Sequence, residues 1–508
     1  MYKVIHTKKQ IVGGALLSYA LIIFNTLYGI FITPYLISSL GMTEYGVYKT
    51  IAALSASFMI LDLGLGGTVT RYIASYRAKK EEEKIPNFLF MMAIEMIFII
   101  VVISVVCSIV YLNVENIYGK TFSVEQVTLA KKLFFIFSCN MTLTVLGNLI
   151  SGVITGFNDF VFCNSTKFIK LLARALGMIL LLSNGFGAIS IVLLDLAITT
   201  AFILVDIVWC AKKYRLKIKF EYVDKPLLFE SWKYTFWMFA TTIINQVNGN
   251  LDNVLVGAII GANAVTVYSV GLTFYGMFEQ LSASISGVLL PSISNLLEQE
   301  DGMNEVKKLI VKVGRVQFVL LSVACVGFAL LGKDFLTLWV GPGFEGAYLV
   351  TLILIIPSVF TLCINGMISI LRAKNLLGVR TAILLGSTCL NALITFIGTK
   401  QFGYIAAAIG TAVSLIVGVI VCINIYYHYK LKFNMIEIYA KIIGKTWIPL
   451  LFSGVTVFFT RRFISGSWFA FVANVVIFCL VYLIMYGVAV LTREERRALI
   501  ARVGLKRR

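Results

Sequence analysis

Apolar runs of about twenty residues follow one another from Ile11 to Leu491, and nothing constrains the fold of this 508-residue chain more. At 1.5 Å of rise per residue, a helix of that length matches the roughly 30 Å hydrocarbon core of a bilayer. Fourteen spans are predicted, at about 11–33, 45–70, 87–112, 127–154, 165–185, 188–211, 234–258, 264–290, 314–332, 348–371, 379–399, 403–427, 443–460 and 468–491. Backbone in lipid must satisfy its own polar groups, so helices are the expected spanning elements, and the ten-residue alternation of a barrel strand is absent. With 59% hydrophobic residues and a mean hydropathy of +0.91, the expected fold class is an all-α polytopic membrane protein.

Charge sets the expected orientation. The N-terminal segment, the loops after spans 2, 6, 8, 10 and 12, and the C-terminal tail, with Arg315, Arg380 and Lys445 at the adjoining span ends, hold 33 of the 44 Lys and Arg. Positive loops stay in the cytoplasm, so both termini are expected there, which an even span count also requires. Most of the net charge of +19 is then topological. The basic runs Lys212–Lys219 and Arg493–Arg508 are expected to anchor anionic membrane lipid, and no nucleic-acid partner is expected. Met1–Gln10 is basic, but the run after it has full spanning length and no small-residue cleavage site, so no cleavable signal peptide is expected.

The nine cysteines are scattered singly, His6 and His428 stand apart from any ligand cluster, and no metal site or cofactor is expected. Phosphate-loop, HExxH and nucleophile-elbow motifs are missing, and no loop is long enough to carry enzymatic chemistry. An enzyme is therefore not expected.

A weak repeat appears at an offset of 220. Leu40-Gly41 and Val47-Tyr48 align with Ile260-Gly261 and Val267-Tyr268, and Asn25 aligns with Asn245. Six intervening spans give both copies the same orientation, so a parallel repeat of two six-helix lobes is predicted. The expected divisions are 1–220, 221–430, and 431–508 for two extra spans with a basic tail. Ala406, Gly410, Ser414 and Gly418, and the pairs Gly152 with Gly156 and Gly257 with Gly261, are expected to be helix-packing positions. Pro357 and Pro449 are expected to kink spans 10 and 13.

A charge at the bilayer centre costs about 2.5–3.5 kcal/mol even on an insertion scale, so each one calls for a reason. Lys167, Lys170 and Arg174 in span 5 are spaced by three and four and share one helical face. Snorkelling accounts for Lys167 but poorly for Arg174, and an inward basic stripe would line an aqueous cavity and attract a phosphate. Asn245, Asn248 and Asp252 form a second stripe, in span 7, with Asn391 and Thr395 of span 11 as neutral oxygens for the same region. Asp252 is expected to take a proton, coordinate a cation or pair with a span 5 cation, against the plainer reading of an interhelical hydrogen-bond network. Asn25, Asp62 and Glu279 join these as polar or coupling candidates, and Glu95, Asp195 and Asp206 as further intramembrane acids and counter-ions.

Several segments carry a family resemblance. Pro34–Thr50 (PYLISSLGMTEYGVYKT), Asp62–Ala74 (DLGLGGTVTRYIA), Gly332–Tyr348 (GKDFLTLWVGPGFEGAY) and Leu251–Gly271 (LDNVLVGAIIGANAVTVYSVG) resemble polysaccharide-biosynthesis flippases of the Wzx type. The likeness implies the multidrug/oligosaccharidyl-lipid/polysaccharide exporter superfamily, with two six-helix lobes around a central cavity. It implies translocation of undecaprenyl-pyrophosphate-linked oligosaccharide across the bacterial cytoplasmic membrane, for O-antigen, capsule or exopolysaccharide. Polysaccharide polymerase and other assembly proteins are expected partners, and Na⁺ or H⁺ the coupling ion. Lipid II flippases share the fourteen-span count, with two extra helices that form a groove for the lipid tail. A peptidoglycan-precursor flippase and a cation-coupled multidrug antiporter are the competing expectations.

Overall fold

A computed structural model describes residues 7–58, 64–214, 250–286, 289–374, 376–464 and 466–490. All regular structure among these residues is helical. The first helix, α1 (Thr7–Phe58), has 52 residues and would be about 78 Å long if straight, far more than one bilayer. It breaks at Gly41, where φ 76 and ψ 165 describe a conformation that a side chain disfavours. The two arms correspond to predicted span 1 and the start of span 2, and the loop expected between them shrinks to one kink.

α2 (Leu65–Ala78), α3 (Ile85–Tyr118), α4 (Val124–Gly156), α5 (Phe160–Ser183), α6 (Ala188–Tyr214) and α7 (residues 250–259) follow. At the start of α4, Ser123 Oγ accepts from the Gln126 N–H and the Gln126 side chain accepts from the Ser123 N–H, a reciprocal cap. After α8 (Ala262–Ser286) come α9 (Leu289–Leu297), α10 (Gly302–Val340), α11 (Glu345–Leu362), α12 (Met367–Ala373) and α13 (Leu377–Phe402). The chain ends with α14 (Ile405–Ser414), a π-helical stretch (Leu415–Ile423), α15 (Asn424–Leu431), α16 (Met435–Ile443), α17 (Trp447–Thr460) and α18 (Trp468–Ala489).

Nine of the described helices are long and apolar enough to cross a membrane, and the bent pair α16–α17 makes ten. Of the other four predicted spans, span 2 falls on the second arm of α1 and on α2, span 5 on α5 with its three cations and span 8 on α8; residues 234–249 of span 7 lie outside the described residues and its remainder falls on α7. Pro449 does not kink span 13. The 47° bend lies at the 444–446 turn, where Gly444 has φ 48, and Pro449 sits in the first turn of α17, where its missing N–H is harmless.

Contacts divide the chain into two units, Met1–Ser269 with Thr395–Tyr404, and Val270–Ile394 with Ile405–Arg508. In the first, α2 and α4 approach closely: a Cβ on Gly152 would lie 2.5 Å from the Gly66 carbonyl oxygen. Thr70 Oγ1 donates to the Gly152 carbonyl across that contact at 3.1 Å. The predicted repeat also meets itself here. Thr43 bonds Asn263 at 2.9 Å, Thr266 Oγ1 donates to the Met42 carbonyl at 2.6 Å, and Gly46 abuts Ala262 and Thr266. The paired glycines Gly41 and Gly261 both have positive φ, so Gly261, expected as a helix-packing position with Gly257, instead turns the chain between α7 and α8, while Gly257 does pack closely, on Thr50.

In the second unit α17 and α18 pack on each other and on α10, around Leu331, Val457 and Phe478. Ala406, Gly410, Ser414 and Gly418 are all buried, as packing positions should be.

Gly152→Val should overpack the α2–α4 seam, because neither Gly66 nor the backbone beside it can withdraw. A loss of about 1–3 kcal/mol is expected, read as a lower thermal midpoint of the purified protein, with Gly67→Ala, a helical site with open space, as the control that is not destabilised.

Candidate functional site

The site is built on the α5–α6 hairpin, whose 184–187 turn is allowed by Gly185 at φ 80. Two carboxylates fix α6 at its ends. Glu44, at the bend of α1, accepts from the Ala188 N–H at 2.5 Å, where a helix start has free donors and positive potential. Asp159, just before α5 and only 1% exposed, receives Trp209 Nε1 at 3.0 Å, Lys213 Nζ at 2.5 Å and the Tyr214 hydroxyl at 2.9 Å on one oxygen. Lys213, read from the sequence as a lipid anchor, is thus tied inward; residues 215–219 of that run lie outside the described residues.

With α6 held in that register, its polar residues face the basic stripe of α5. Arg174 forks onto Asp195, Nε to Oδ1 at 2.6 Å and Nη2 to Oδ2 at 2.9 Å. One turn away Lys170 Nζ donates to Thr199 Oγ1 at 3.0 Å. Lys170 and exposed Lys167 then line a cavity of about 140 Å³ between α4, α5 and α6, with Asp206, Thr144, Asn148 and Ser151. Such a volume holds on the order of four or five waters. Asp206 Oδ1 is buried there and accepts no hydrogen bond from a described residue.

α1 closes the other side. Tyr28 and Tyr48 lie within electrostatic range of the Arg174–Asp195 pair, and Lys49 is within electrostatic range of Arg174 and 5.5 Å from the Tyr45 ring. Lys49 was not expected: it is a lone lysine in an apolar span, and no spacing rule ties it to α5. Four cations, Lys49, Lys167, Lys170 and Arg174, therefore share the region with two carboxylates, leaving a surplus of positive charge.

The second polar set is only partly assembled. Asp252 is 3% exposed, and it accepts from the Tyr268 hydroxyl at 2.7 Å on Oδ2 and from Thr395 Oγ1 at 3.3 Å on Oδ1. All three belong to the first unit. Asn391 is buried on α13 in the second unit. Glu279 is exposed on α8 and accepts from Tyr275 at 3.0 Å, and Asn25 is exposed on α1. Asp62, Asn245 and Asn248 lie outside the described residues.

The sequence profile of a family described as "polysaccharide biosynthesis protein" matches residues 11–297. "Probable flippase AglR" of Haloferax volcanii is 22% identical over 405 residues, 79% of this chain and 80% of that protein. "Uncharacterized membrane protein EpsK" of Bacillus subtilis is 21% identical over 325 residues, 62% of each chain. Among solved structures, the lipid II flippase MurJ in an inward closed conformation superposes with a TM-score of 0.74 at 19% identity, over 93% of this chain and 98% of that one. An inward-facing MATE-family multidrug transporter of the MOP superfamily superposes at 0.60 with 15% identity, over 80% and 94%. These superpositions agree with the all-α polytopic fold.

Asp195→Ala should cost about 3 kcal/mol, the low end for breaking a buried pair, because the Arg174 side chain keeps 33% exposure. The double variant Arg174→Met, Asp195→Leu should recover most of that loss. Thermal unfolding of the two proteins checks this, and a double variant no more stable than the single one would show that the pair is not a coupled unit.

Proposed function

The chain belongs to the polysaccharide biosynthesis protein family, and from that premise we propose that it is a flippase for undecaprenyl-pyrophosphate-linked oligosaccharide. It moves this lipid from the inner to the outer leaflet of the bacterial cytoplasmic membrane by alternating access, for O-antigen, capsule or exopolysaccharide, with both termini in the cytoplasm. No covalent bond changes, so the protein acts as a transporter and not as an enzyme.

The observation that carries this reading is the surplus of cations on the α5–α6 hairpin. A diphosphate brings several anionic oxygens, which guanidinium and ammonium groups bind by short, charge-assisted hydrogen bonds. Asp195 and Asp206 serve as internal anions for these cations. An arriving diphosphate meets Lys167 and Lys170 first, in the open cavity, and Arg174 last, because its fork must leave Asp195. An apolar groove of about 310 Å³ between α8, α10 and α18, lined by Phe274, Phe278, Phe328, Phe335, Phe471 and Phe478, supports a place for the polyprenyl tail. A peptidoglycan-precursor flippase would use the same diphosphate chemistry, and the likeness to a lipid II flippase favours it as the second reading. A drug antiporter fits less well, because a cationic face repels cationic drugs.

An inward Na⁺ or H⁺ gradient drives the cycle in this proposal, with Asp252 as the coupling carboxylate. In proteoliposomes Asp252→Asn should flip substrate without responding to the gradient. A full response to pH or Na⁺ in that variant would move coupling to Glu279 or Asp62.

For the cationic face, the double variant Lys170→Ala, Arg174→Ala should slow flipping of a diphosphate-linked saccharide roughly tenfold or more, as loss of charge-assisted bonds worth about 1.5–3 kcal/mol each requires. Arg174→Lys should fall between, because an ammonium cannot reproduce the fork. Unchanged flipping by the double variant at equal protein level would refute the assignment.

A further inference from the structure

A second cationic cavity lies in the second unit, apart from the hairpin. The first turns of α10 carry Lys307, Lys308, Lys312 and Arg315, at spacings that keep them on one side of the helix. They line a cavity of about 640 Å³ that is completed by Lys441 of α16 and by Tyr486 and Val490 at the end of α18. Glu437 is shared between Lys307 at 3.1 Å and Lys441 at 2.6 Å, and Glu305 holds Lys308 at 2.6 Å. Asp301 lies at the rim, bonded to Asn304 at 2.6 Å. Five cations thus face three carboxylates, and no carboxylate among the described residues pairs with Lys312.

The depth of this cavity identifies its ligand. α18 starts at Trp468 and its 22 residues rise about 33 Å, one hydrocarbon core. With Trp468 at one membrane interface, Tyr486 and Val490 stand at the headgroup level of the other, where tyrosine concentrates. Val311 and Val316 add apolar wall beside the ammonium groups. The space, on the order of twenty water volumes, exceeds what a bare phosphate fills. Basic pockets between spanning helices at this level take lipid headgroups. We propose that this cavity binds the phosphate headgroup of an anionic bilayer lipid, bound as a fixed cofactor-like lipid and distinct from any transported one.

The full chain in neutral detergent tests this by thermal unfolding. Added phosphatidylglycerol should raise the midpoint by about 3 °C, and phosphatidylcholine or inorganic phosphate should not. The double variant Lys308→Gln, Lys312→Gln should keep the unliganded midpoint, because both positions are near the surface, and lose at least half the shift. An equal shift from inorganic phosphate would identify a free anion as the ligand and overturn the proposal, as would an undiminished shift in the variant. Native mass spectrometry of the unaltered chain, released from bilayers containing both lipids, gives a reading that does not depend on the variant folding. One retained phosphatidylglycerol per chain is expected, and no preference over phosphatidylcholine would overturn the proposal.

Discussion

A guanidinium in the hydrocarbon layer needs an anion, and Arg174 has Asp195 across a helix hairpin. The rest of the first unit is arranged around that need. The pair exists only if α5 and α6 hold one register, since a shift of a single residue turns a side chain about 100° around a helix. Glu44 fixes one end of α6 and Asp159 the other, so two carboxylates near the membrane surfaces secure a third within it. Tyr28 and Tyr48 come from the two arms of α1, and they can flank the pair only because Gly41 folds those arms together.

The hairpin is only partly neutralised by its own acids, because Asp195 and Asp206 stand among four cations. Asp252 accepts from two hydroxyls, those of Tyr268 and Thr395. Tyr48 and Tyr268 are 220 positions apart, the offset of the predicted repeat, and each lies by a charged group, one beside a salt bridge and one on a carboxylate.

How much of this could be read in advance depended on whether the signal was local. The span 5 stripe was legible because three cations at helical spacing are visible in eight residues. Asp195 was visible as an intramembrane acid, but its match to Arg174 depends on hairpin register, which no spacing within one helix reports. Lys49 escaped notice because its relation to Arg174 is wholly tertiary. Pro449 misled, because a proline signals a kink only inside a helix, and the turn at Gly444 had already ended this one. The small residues of spans 4 and 12 were read correctly, since close backbone approach in lipid leaves few other uses for them.

Thr43 and Asn263 are 220 positions apart, the repeat offset, and they bond each other. Met42 meets Thr266 while Gly46 meets Ala262, so the contacts exchange as they do across the axis of a symmetric dimer. A residue that touches its own counterpart marks the axis itself. The start of the second arm of α1 and the start of α8 therefore meet as two subunits of a dimer would, within one polypeptide, and at positions 43 and 263 a larger side chain on either side takes its room from the other.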